Sequence, residues 1–515
     1  MPLNWIKGLV NHPLYHLTLS GKAVQPFKSP PDALFPGSQE QGQMIIRNPE
    51  IARDDPCFHW LADVQCVDGA HTRTCVKTII TRWLDLYTRP DSLQWDAVST
   101  AKRLINWMYF SPLLSEVPDQ DALHKSFARQ LRHIQRCMPF MPKSADRFTL
   151  LQARLMAALL VPGFEKTAPS LFTVLDKNLR QQILADGCHI GRIPSVHAEV
   201  VKILLEIRHL CRHCHYEVPD FLQHHIDRMA PVLATLRLGD GTLARFNGGF
   251  AGGSGNIQMI LSQARDKAIK PLKSIPYGGF VRLSARALCL LMDVGKPVSR
   301  NRYLPRFQGF SSFELSAGKK RIIVNCGQSH DTDGPWADAL RRQAAHSSLD
   351  IHEDSALRLR DILHFPQSRS VSFSARSDGG HHIVDCQQTG TVKGFPYTHA
   401  RTIFMDGDGH DLRGEDVVTF SGGRPTTPHP FYIRFHLHPD VSASITEATK
   451  TVLLKPGKAK GWQFICSGGD LSLEDSVYFD EGIKRACRQV VISATSLDPA
   501  QTIKWRLFQT VKNSK

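Results

Sequence analysis

Between Phe431 and Pro439, polar side chains that bind anions or transfer protons recur at every second position. This period of two is typical of a β-strand, because successive side chains point to opposite faces of a sheet. A phenol, a guanidinium and two imidazoles on one face can line a site for an anionic substrate or supply a metal ligand. An ordinary solvated strand face shows the same alternation, so both interpretations stay open. The polar face comprises Tyr432, Arg434, His436 and His438, and the apolar face comprises Phe431, Ile433, Phe435 and Leu437.

The segment from Asp186 to Ser195 places His189 and Arg192 just before Pro194. Ser195 can cap the helix that follows, so these polar groups gather at one end of a predicted helix. Loops held by rigid elements often carry binding groups, which makes His189 and Arg192 candidates for a site. Helix capping alone would explain Ser195 and Asp186.

Asn247 opens a glycine-rich loop, 247–256, whose backbone can approach a ligand closely. The loop lacks the order of a dinucleotide fingerprint and the ending of a phosphate-binding loop. It therefore predicts a ligand contact at Asn247 without naming the ligand.

Single histidines beside predicted strands are the candidate metal ligands. His346 follows an alternating segment, and His399 lies two residues before Arg401. Imidazoles bind zinc and other divalent ions, so His346, His399 and His436 could hold a structural zinc or calcium ion. No tight spacing of His and Asp requires such an ion.

Amphipathic helices must position the candidate residues His189 and Arg192. From Phe58 to about Leu238, apolar residues recur with the 3.6-residue period of a helix, and short segments rich in Pro, Gly and Asp separate the repeats. Stacked helical hairpins form a bundle, a solenoid or a closed toroid, and periodicity does not choose among them. The predicted helices are 95–114, 123–138, 148–160, 170–185, 196–211 and 221–238.

After about Lys296 the period changes from 3.6 to 2, and glycine-containing turns separate short alternating segments, one of which has Ile503, Trp505 and Leu507 on its apolar face. Many short strands with few helices predict an antiparallel sandwich or barrel. We therefore place a domain boundary near residue 300. The predicted domains are an extended arm at 1–50, a helical domain at 51–299 and a strand-rich domain at 300–515.

The composition is 42% hydrophobic and 22% charged over 515 residues, as in globular proteins. The net charge of +15 attracts polyanions or only aids solubility. No dense run of Lys and Arg occurs, so nucleic-acid binding is not favoured. The first residues lack a signal-peptide core and no apolar run is long enough to span a membrane, so we expect a cytoplasmic location, with export by another route left open. The oligomeric state stays unknown.

Short segments spread over nearly the whole chain form an ordered set. They are Phe58-His59-Trp60-Leu61, Asp186-Gly187-Cys188-His189-Ile190, Asp240-Gly241-Thr242-Leu243-Ala244, Ser312-Phe313-Glu314-Leu315-Ser316, Val324-Asn325-Cys326-Gly327, Ala345-His346-Ser347 and Arg434-Phe435-His436-Leu437-His438-Pro439. In this order and spacing they resemble the heparinase II/III-like family of polysaccharide lyases, especially its bacterial branch. The resemblance implies an α+β multidomain fold, with an incomplete α/α toroid followed by an antiparallel β-sandwich, and an acidic polysaccharide as partner.

The resemblance also implies a reaction, β-elimination at a uronic acid such as those of glycosaminoglycans. This chemistry neutralises the C6 carboxylate, removes the C5 proton with a base and protonates the departing oxygen with an acid. His189 and Arg192 would lie near the carboxylate. Tyr277 or Tyr303 would act as acid or base, and His346 is the other candidate base. The expected substrate-binding residues are Asn247, Arg401, Arg434, His436 and His438.

Three positions differ from the family pattern. Gly191-Arg192-Ile193-Pro194 replaces a Ser-Arg-Asn-Pro sequence, and Gly279-Phe280 replaces Gly-Tyr. The histidine expected before the Ser-Phe-Glu-Leu-Ser strand is absent from Phe307-Gln308-Gly309. Tyr277 and Tyr303 lie near enough in sequence to replace a phenol. Two hypotheses follow: a polysaccharide lyase, and a catalytically impaired relative that binds acidic carbohydrate without cleaving it.

Overall fold

The computed structural model describes residues 13–67, 69–87, 94–142, 144–265, 268–296, 307–331, 334–351, 370–392, 395–420, 429–446, 448–496 and 500–509. The chain divides into two compact units. Unit 1 comprises Met1–Gln182 and Glu199–Asp227, and unit 2 comprises Ile183–Ala198 and Arg228–Lys515.

Helices fill the described part of unit 1, as the apolar periodicity predicts. The α-helices of the described residues, in both units, are α1 Pro13–Leu19, α2 Gln39–Arg47, α3 Trp60–Gln65, α4 Ala70–Leu86, α5 Ala97–Tyr109, α6 Ser111–Leu114, α7 Gln120–Cys137, α8 Asp146–Leu160, α9 Ala168–Gln182, α10 Pro194–His213, α11 Asp220–Thr235, α12 Ser254–Ala264 and α13 Pro335–Ala339. Short 3₁₀ helices occupy Pro49–Ala52, Met138–Phe140, Glu165–Thr167 and Gln343–Ala345. All the helices predicted between Trp95 and Leu238 are present, the first of them broken at Phe110.

Local sequence explains where these helices begin. The Asp96 carboxylate accepts hydrogen bonds from the Val98 and Ser99 amides at the start of α5, and Asp119 accepts one from Ala122 at the start of α7. Such caps satisfy amides that have no partner within the helix. α8 is buried along nearly its whole length and packs against α5 and α9, so it forms the centre of this unit.

The predicted N-terminal arm is partly helical, since α1 and α2 lie within residues 1–50. Between them, 20–37 contains neither helix nor strand. Polar residues and prolines interrupt the apolar periodicity of residues 1–50, so periodicity did not predict the two short helices α1 and α2.

Unit 2 contains two antiparallel sheets. The strands are β1 Ser274–Ile275, β2 Phe280–Ala285, β3 Leu288–Asp293, β4 Phe313–Ala317, β5 Lys320–Val324, β6 Leu349–Ile351, β7 Val371–Asp378, β8 His381–Val392, β9 Phe395–Met405, β10 Asp411–Phe420, β11 His429–Leu437, β12 Val441–Thr446, β13 Thr451–Pro456, β14 Trp462–Ser467, β15 Asp470–Asp480, β16 Ile483–Ser496 and β17 Ala500–Gln509. Among the described residues, the first sheet has the order β1-β2-β3-β4-β5-β11-β16-β15 with β6 paired to β11, and the second has the order β12-β13-β14-β17-β10-β9-β8-β7.

The strands begin at Ser274, earlier than the boundary that the change of period places near residue 300. β3 explains the difference, because all six of its residues are buried. A strand covered on both faces is apolar throughout and shows no alternation. The alternation that the sequence does show, in β4 and later strands, marks only those with one polar face.

The apolar faces of the two sheets form one core. It includes the alternating residues predicted to face inward, Phe431, Ile433, Phe435 and Leu437 from β11 and Ile503, Trp505 and Leu507 from β17. This confirms the α+β class, with helices in the N-terminal half and two antiparallel sheets in the C-terminal part.

A charged cluster lies inside this apolar core. Asp416 is fully buried and accepts hydrogen bonds from Arg401 at 2.6 Å, His399 at 2.7 Å and the indole of Trp505 at 2.9 Å. The guanidinium of Arg401 also donates to the carbonyl oxygen of Ser311 at 2.9 Å. Arg401 therefore satisfies a carboxylate of the second sheet and a loop that precedes β4 of the first.

We predict that Asp416→Asn destabilises unit 2 by about 3–5 kcal/mol, because the change leaves the buried Arg401 cation without its counter-charge. Urea unfolding monitored by circular dichroism measures this loss. Asp408→Asn is the matched control, since Asp408 pairs with Arg286 but both side chains are exposed, and its effect should stay within about 1 kcal/mol. Equal effects of the two substitutions would contradict a structural role for the buried cluster.

Candidate functional site

Arg192 is buried within unit 2 and all parts of its guanidinium have partners. Its Nε donates to the carbonyl oxygen of Gly278 at 2.7 Å, and Nη1 donates to that of Lys296 at 2.8 Å. Nη2 forms an ion pair with Asp293. Arg192 thus connects the 186–195 segment to the β2–β3 hairpin and the residues that flank it. In this conformation its guanidinium is not directed at a ligand.

Asp293 and Asn247 complete this cluster. Burial raises the pKa of Asp293, and the positive charge of Arg192 opposes that shift. The amide of Asn247 donates to Asp293 at 3.2 Å and to the carbonyl oxygen of Arg192 at 2.9 Å. Asn247 has a positive φ of 55°, and Asn tolerates this left-handed conformation better than most residues. The predicted ligand-binding amide therefore holds the loop in place.

His189 lies in the same loop and is only 1% exposed. Its Nδ1 accepts a hydrogen bond from the Gly191 amide at 3.1 Å, and Nε2 has no partner among the described residues. Burial, together with the nearby His197, lowers the pKa of His189 to about 3. The ring is neutral at physiological pH, with its proton on Nε2.

His346 is buried beside Phe307, at 6.1 Å between ring centroids in an edge-on arrangement. Burial lowers the pKa of His346 to about 4, and its Nε2 has no partner among the described residues. Gly248 packs so tightly on Phe307 that an added Cβ would lie 2.5 Å from the ring. Phe307 thus covers one side of the candidate base with an apolar surface.

The phenols are not assembled with these imidazoles in the part of the chain that the structure describes. Tyr277 is 68% exposed, and only its backbone amide is anchored, by a 2.7 Å hydrogen bond to Asp186. No hydrogen bond or ring contact joins Tyr277, His189 and His346 to one another within the described residues. Tyr303 lies outside the described residues.

The polar face of β11 is occupied by neighbouring protein groups. Arg434 forms an ion pair with Asp350 of β6 at 3.0 Å. His436 is bonded through both ring nitrogens, to Ser476 of β15 at 2.8 Å and to the carbonyl oxygen of Ala344 at 2.9 Å.

The last two binding candidates are also engaged within the fold. The ring of His438 packs on Tyr478, and Arg401 lies in the core cluster of Asp416. Asp350 and Ser476, which belong to the same sheet, engage Arg434 and His436, and Arg401 faces the core. A substrate-binding role for these residues stays a prediction of the sequence.

The predicted metal ligands do not form a set of three donors in the part of the chain that the structure describes. His399 binds Asp416, His436 binds Ser476, and no set of three metal-binding donors includes either of them or His346 among the described residues. The set that does occur in the described chain is Asp55, Cys57 and His59. It lies in unit 1 and contains none of the residues that the sequence nominated as metal ligands.

A groove of about 370 Å³ opens on the outer face of the second sheet. Strand alternation places Lys504 and Arg506 of β17 there, on the opposite face from Ile503 and Trp505. The alternation of β17 in the sequence predicts its outward polar face. A pattern in one strand does not reveal which strands lie beside it, so the groove itself could not be predicted. Polar, charged and apolar side chains line the groove, among them Thr402, Phe404, Arg413, Glu415, Ile465, Ser467, Lys504 and Arg506.

Comparison with known proteins defines the class. The family described as "Heparinase II/III-like, C-terminal" matches residues 268–506, which contain both sheets. The strand-rich part of the chain, 268–506, is therefore a heparinase II/III-like C-terminal domain. The match begins before β1, which agrees with strands that start ahead of residue 300.

Individual relatives and structures extend the likeness over most of the chain. FtsZ-localized protein C of Caulobacter vibrioides is 26% identical over 470 residues, which cover 87% of this chain and 80% of that protein. The crystal structure of heparinase III superposes with a TM-score of 0.68 at 11% identity, covering 92% of this chain and 77% of the other. A mutant of the heparan sulfate lyase HepC from Pedobacter heparinus superposes with a TM-score of 0.61 at 14% identity, covering 88% and 76%. These structural matches establish the fold.

Within the described residues, no helix combines the length and the apolar character that a membrane span requires.

We predict that acid destabilises this protein as the pH falls from about 6.5 to 4. A histidine of the unfolded chain has a pKa near 6.5, whereas those of His189 and His346 are about 3 and 4 in the folded protein. The unfolded state therefore binds more protons than the folded state in this window, and the free energy of unfolding decreases as the pH decreases. Urea midpoints measured at several pH values give the slope.

His346→Gln should flatten that slope, since one depressed pKa is removed. The matched control is His71→Gln, because His71 is exposed on α4, and it should leave the slope unchanged. An unaltered slope in His346→Gln would show that His346 is not buried in its neutral form.

Proposed function

We propose that this protein binds acidic polysaccharide on a heparinase II/III-like scaffold and does not cleave it by β-elimination. The observation that carries this proposal is the closed ion pair of Arg192 with Asp293. In the lyase hypothesis Arg192 neutralises the C6 carboxylate of a uronic acid. A carboxylate of the protein already fills that role, so a substrate carboxylate gains little from this guanidinium.

The candidate bases support the same proposal. A general base works best when its pKa lies near the operating pH. Imidazoles with pKa values of about 3 and 4, as in His189 and His346, take up a proton from carbon poorly. Buried apolar side chains also stand at Ile193 and Phe280, where the family resemblance implies an amide and a phenol.

The groove on the second sheet is the contact surface that we propose for the polysaccharide. Its lining includes three cations, of which Arg413 and Arg506 share Asp411 and Lys504 pairs with Glu415. Unlike the buried pair of Arg192, these pairs have cations that are exposed to solvent and are therefore weak, so a substrate anion can compete for the cations. The ring of Phe404 lies under Arg413, 5.5 Å from its guanidinium carbon, and supports that cation at the groove. A groove of about 370 Å³ lies within the usual range for small ligands, about 300–1,000 Å³.

We expect heparan sulfate or another uronic-acid polysaccharide to bind without any rise in the absorbance of unsaturated uronides. Lys504→Gln combined with Arg506→Gln should weaken binding by about tenfold, or about 1.4 kcal/mol, because two cations leave the groove. Lys455→Gln is the matched control, since Lys455 is exposed on β13 of the same sheet but does not line the groove. Isothermal titration measures the affinity, and absorbance over the same incubation measures cleavage.

Two results would overturn this proposal. An unsaturated uronide signal that disappears in His346→Ala would restore the lyase hypothesis. Failure of the wild-type protein to bind any uronic-acid polysaccharide would remove the carbohydrate partner altogether.

A second candidate function rests on the relative that covers most of the chain. FtsZ-localized protein C is 26% identical over 87% of this sequence. Localisation to FtsZ is what that name states for the Caulobacter protein, and we propose it for this chain as an alternative role. The two proposals are compatible, since one scaffold can present separate surfaces. The cytoplasmic location stays a prediction of the sequence.

If the alternative role holds, the protein should sediment with FtsZ polymers assembled in the presence of GTP and stay in the supernatant with unassembled FtsZ. Adding excess polysaccharide tests whether the two surfaces are separate. Lys504→Gln with Arg506→Gln should leave sedimentation unchanged. No sedimentation of the wild-type protein with assembled FtsZ would contradict this role.

A further inference from the structure

Three chemically different metal-binding groups meet in one turn of unit 1. Asp55, Cys57 and His59 alternate in sequence, and a carboxylate oxygen, the thiol sulfur and an imidazole nitrogen lie within 4.8 Å of one another. The carboxylate and the imidazole of the pair are 3.4 Å apart. From these donors we propose a Zn²⁺ site in this turn.

The turn that presents these donors is held from behind by buried groups of α5. Arg103 is fully buried and donates to the carbonyl oxygen of Pro56, and the amide of Asn106 donates to that of Cys57 at 2.9 Å. Metal sites need ligands on a rigid support, because a loose support lowers affinity. The backbone of this turn already has that support.

Phe58 lies between Cys57 and His59 in the sequence, and its buried ring anchors the turn. Its ring lies 5.6 Å from those of Trp60 and Trp83 and 5.9 Å from that of Trp107. Phe58 also has a φ of 61°, a left-handed conformation that costs a bulky residue free energy unless the surroundings hold it there. The aromatic cluster holds Phe58 inward, so that Cys57 and His59 can share one site with Asp55.

The carboxylate of Asp55 is oriented as metal-binding carboxylates usually are. Its two oxygens accept hydrogen bonds from the amides of Cys57 at 2.9 Å and His59 at 2.6 Å. Hydrogen bonds of this kind fix a ligand and leave lone pairs for a metal.

The donor set favours Zn²⁺ over the other common cations. Calcium and magnesium prefer oxygen ligands, whereas a thiolate, an imidazole and a carboxylate together suit zinc. Zinc–ligand bonds of about 2.0–2.3 Å require the donors to move slightly closer than 4.8 Å. The side chain of His59 is 60% exposed and can make that adjustment. Three protein ligands leave a fourth position to water.

The test uses the full chain, freed of metal with a chelator and titrated with Co²⁺ as a probe for Zn²⁺. We expect about one equivalent to bind with a charge-transfer absorption that reports a thiolate ligand, and Zn²⁺ to displace it. Cys57→Ser should abolish that absorption. His59→Ala should weaken binding by more than about 100-fold, since even the outer partners of a metal site contribute about 10–100-fold.

Matched variants separate this site from adventitious binding. Cys66→Ser removes a half-buried thiol and His71→Ala an exposed imidazole, both in unit 1 and outside the donor set. Both should keep the absorption and the affinity. The proposal fails if the wild-type chain shows no thiolate absorption, or if that absorption persists in Cys57→Ser. It also fails if His59→Ala, an exposed change that should not disturb folding, binds as tightly as wild type. Polysaccharide binding does not enter this test.

Discussion

Burial of charge is the constraint on which the described architecture of unit 2 depends. A buried arginine must be paired, since an isolated charge in the interior costs several kcal/mol. Arg192 pairs with Asp293, Arg401 with Asp416, and Arg321 with Glu314, and each pair has little or no exposure. Hydrogen bonds from the same guanidinium groups to backbone carbonyls tie loops to strands. The positions of the loops therefore follow from the requirement that these cations be neutralised.

The same constraint changes the meaning of the residues that resemble a lyase site. A guanidinium or an imidazole can serve a substrate only if the protein leaves it free. Here Asp293 holds Arg192, Ser476 and Ala344 hold His436, and burial keeps His346 neutral. Polar residues of the kind that family resemblance assigns to catalysis thus stabilise the fold in this chain. These contacts are the physical basis of the proposal that the chain binds acidic polysaccharide without cleaving it.

Two other groups of residues carry the binding functions that we propose. The outer face of the second sheet carries cations and an aromatic ring over a groove, and the Asp55 turn of unit 1 carries three metal-binding donors. Neither depends on the closed cluster around Arg192. A protein that resembles both polysaccharide lyases and an FtsZ-localized protein is consistent with a binding scaffold on which separate surfaces contact different partners.

The sequence by itself determined the elements with one polar face. Apolar periodicity located the helices between Trp95 and Leu238 and the inward face of β11, because apolar residues of an amphipathic element recur with the period of that element. It missed β3, which is buried on both faces, and the short helices α1 and α2. The family resemblance in ordered segments also came from the sequence.

Only the tertiary structure decided which polar residues are free. The alternation in β11 named Arg434 and His436, but Asp350 and Ser476, which occupy them, lie on other strands far away in the chain. The identity of a side chain fixes which bonds it can make, whereas its neighbours in space fix which bonds are already made. The sequence therefore specified which side chains are able to do chemistry. Packing between distant segments determined which of them are engaged in contacts that stabilise the fold.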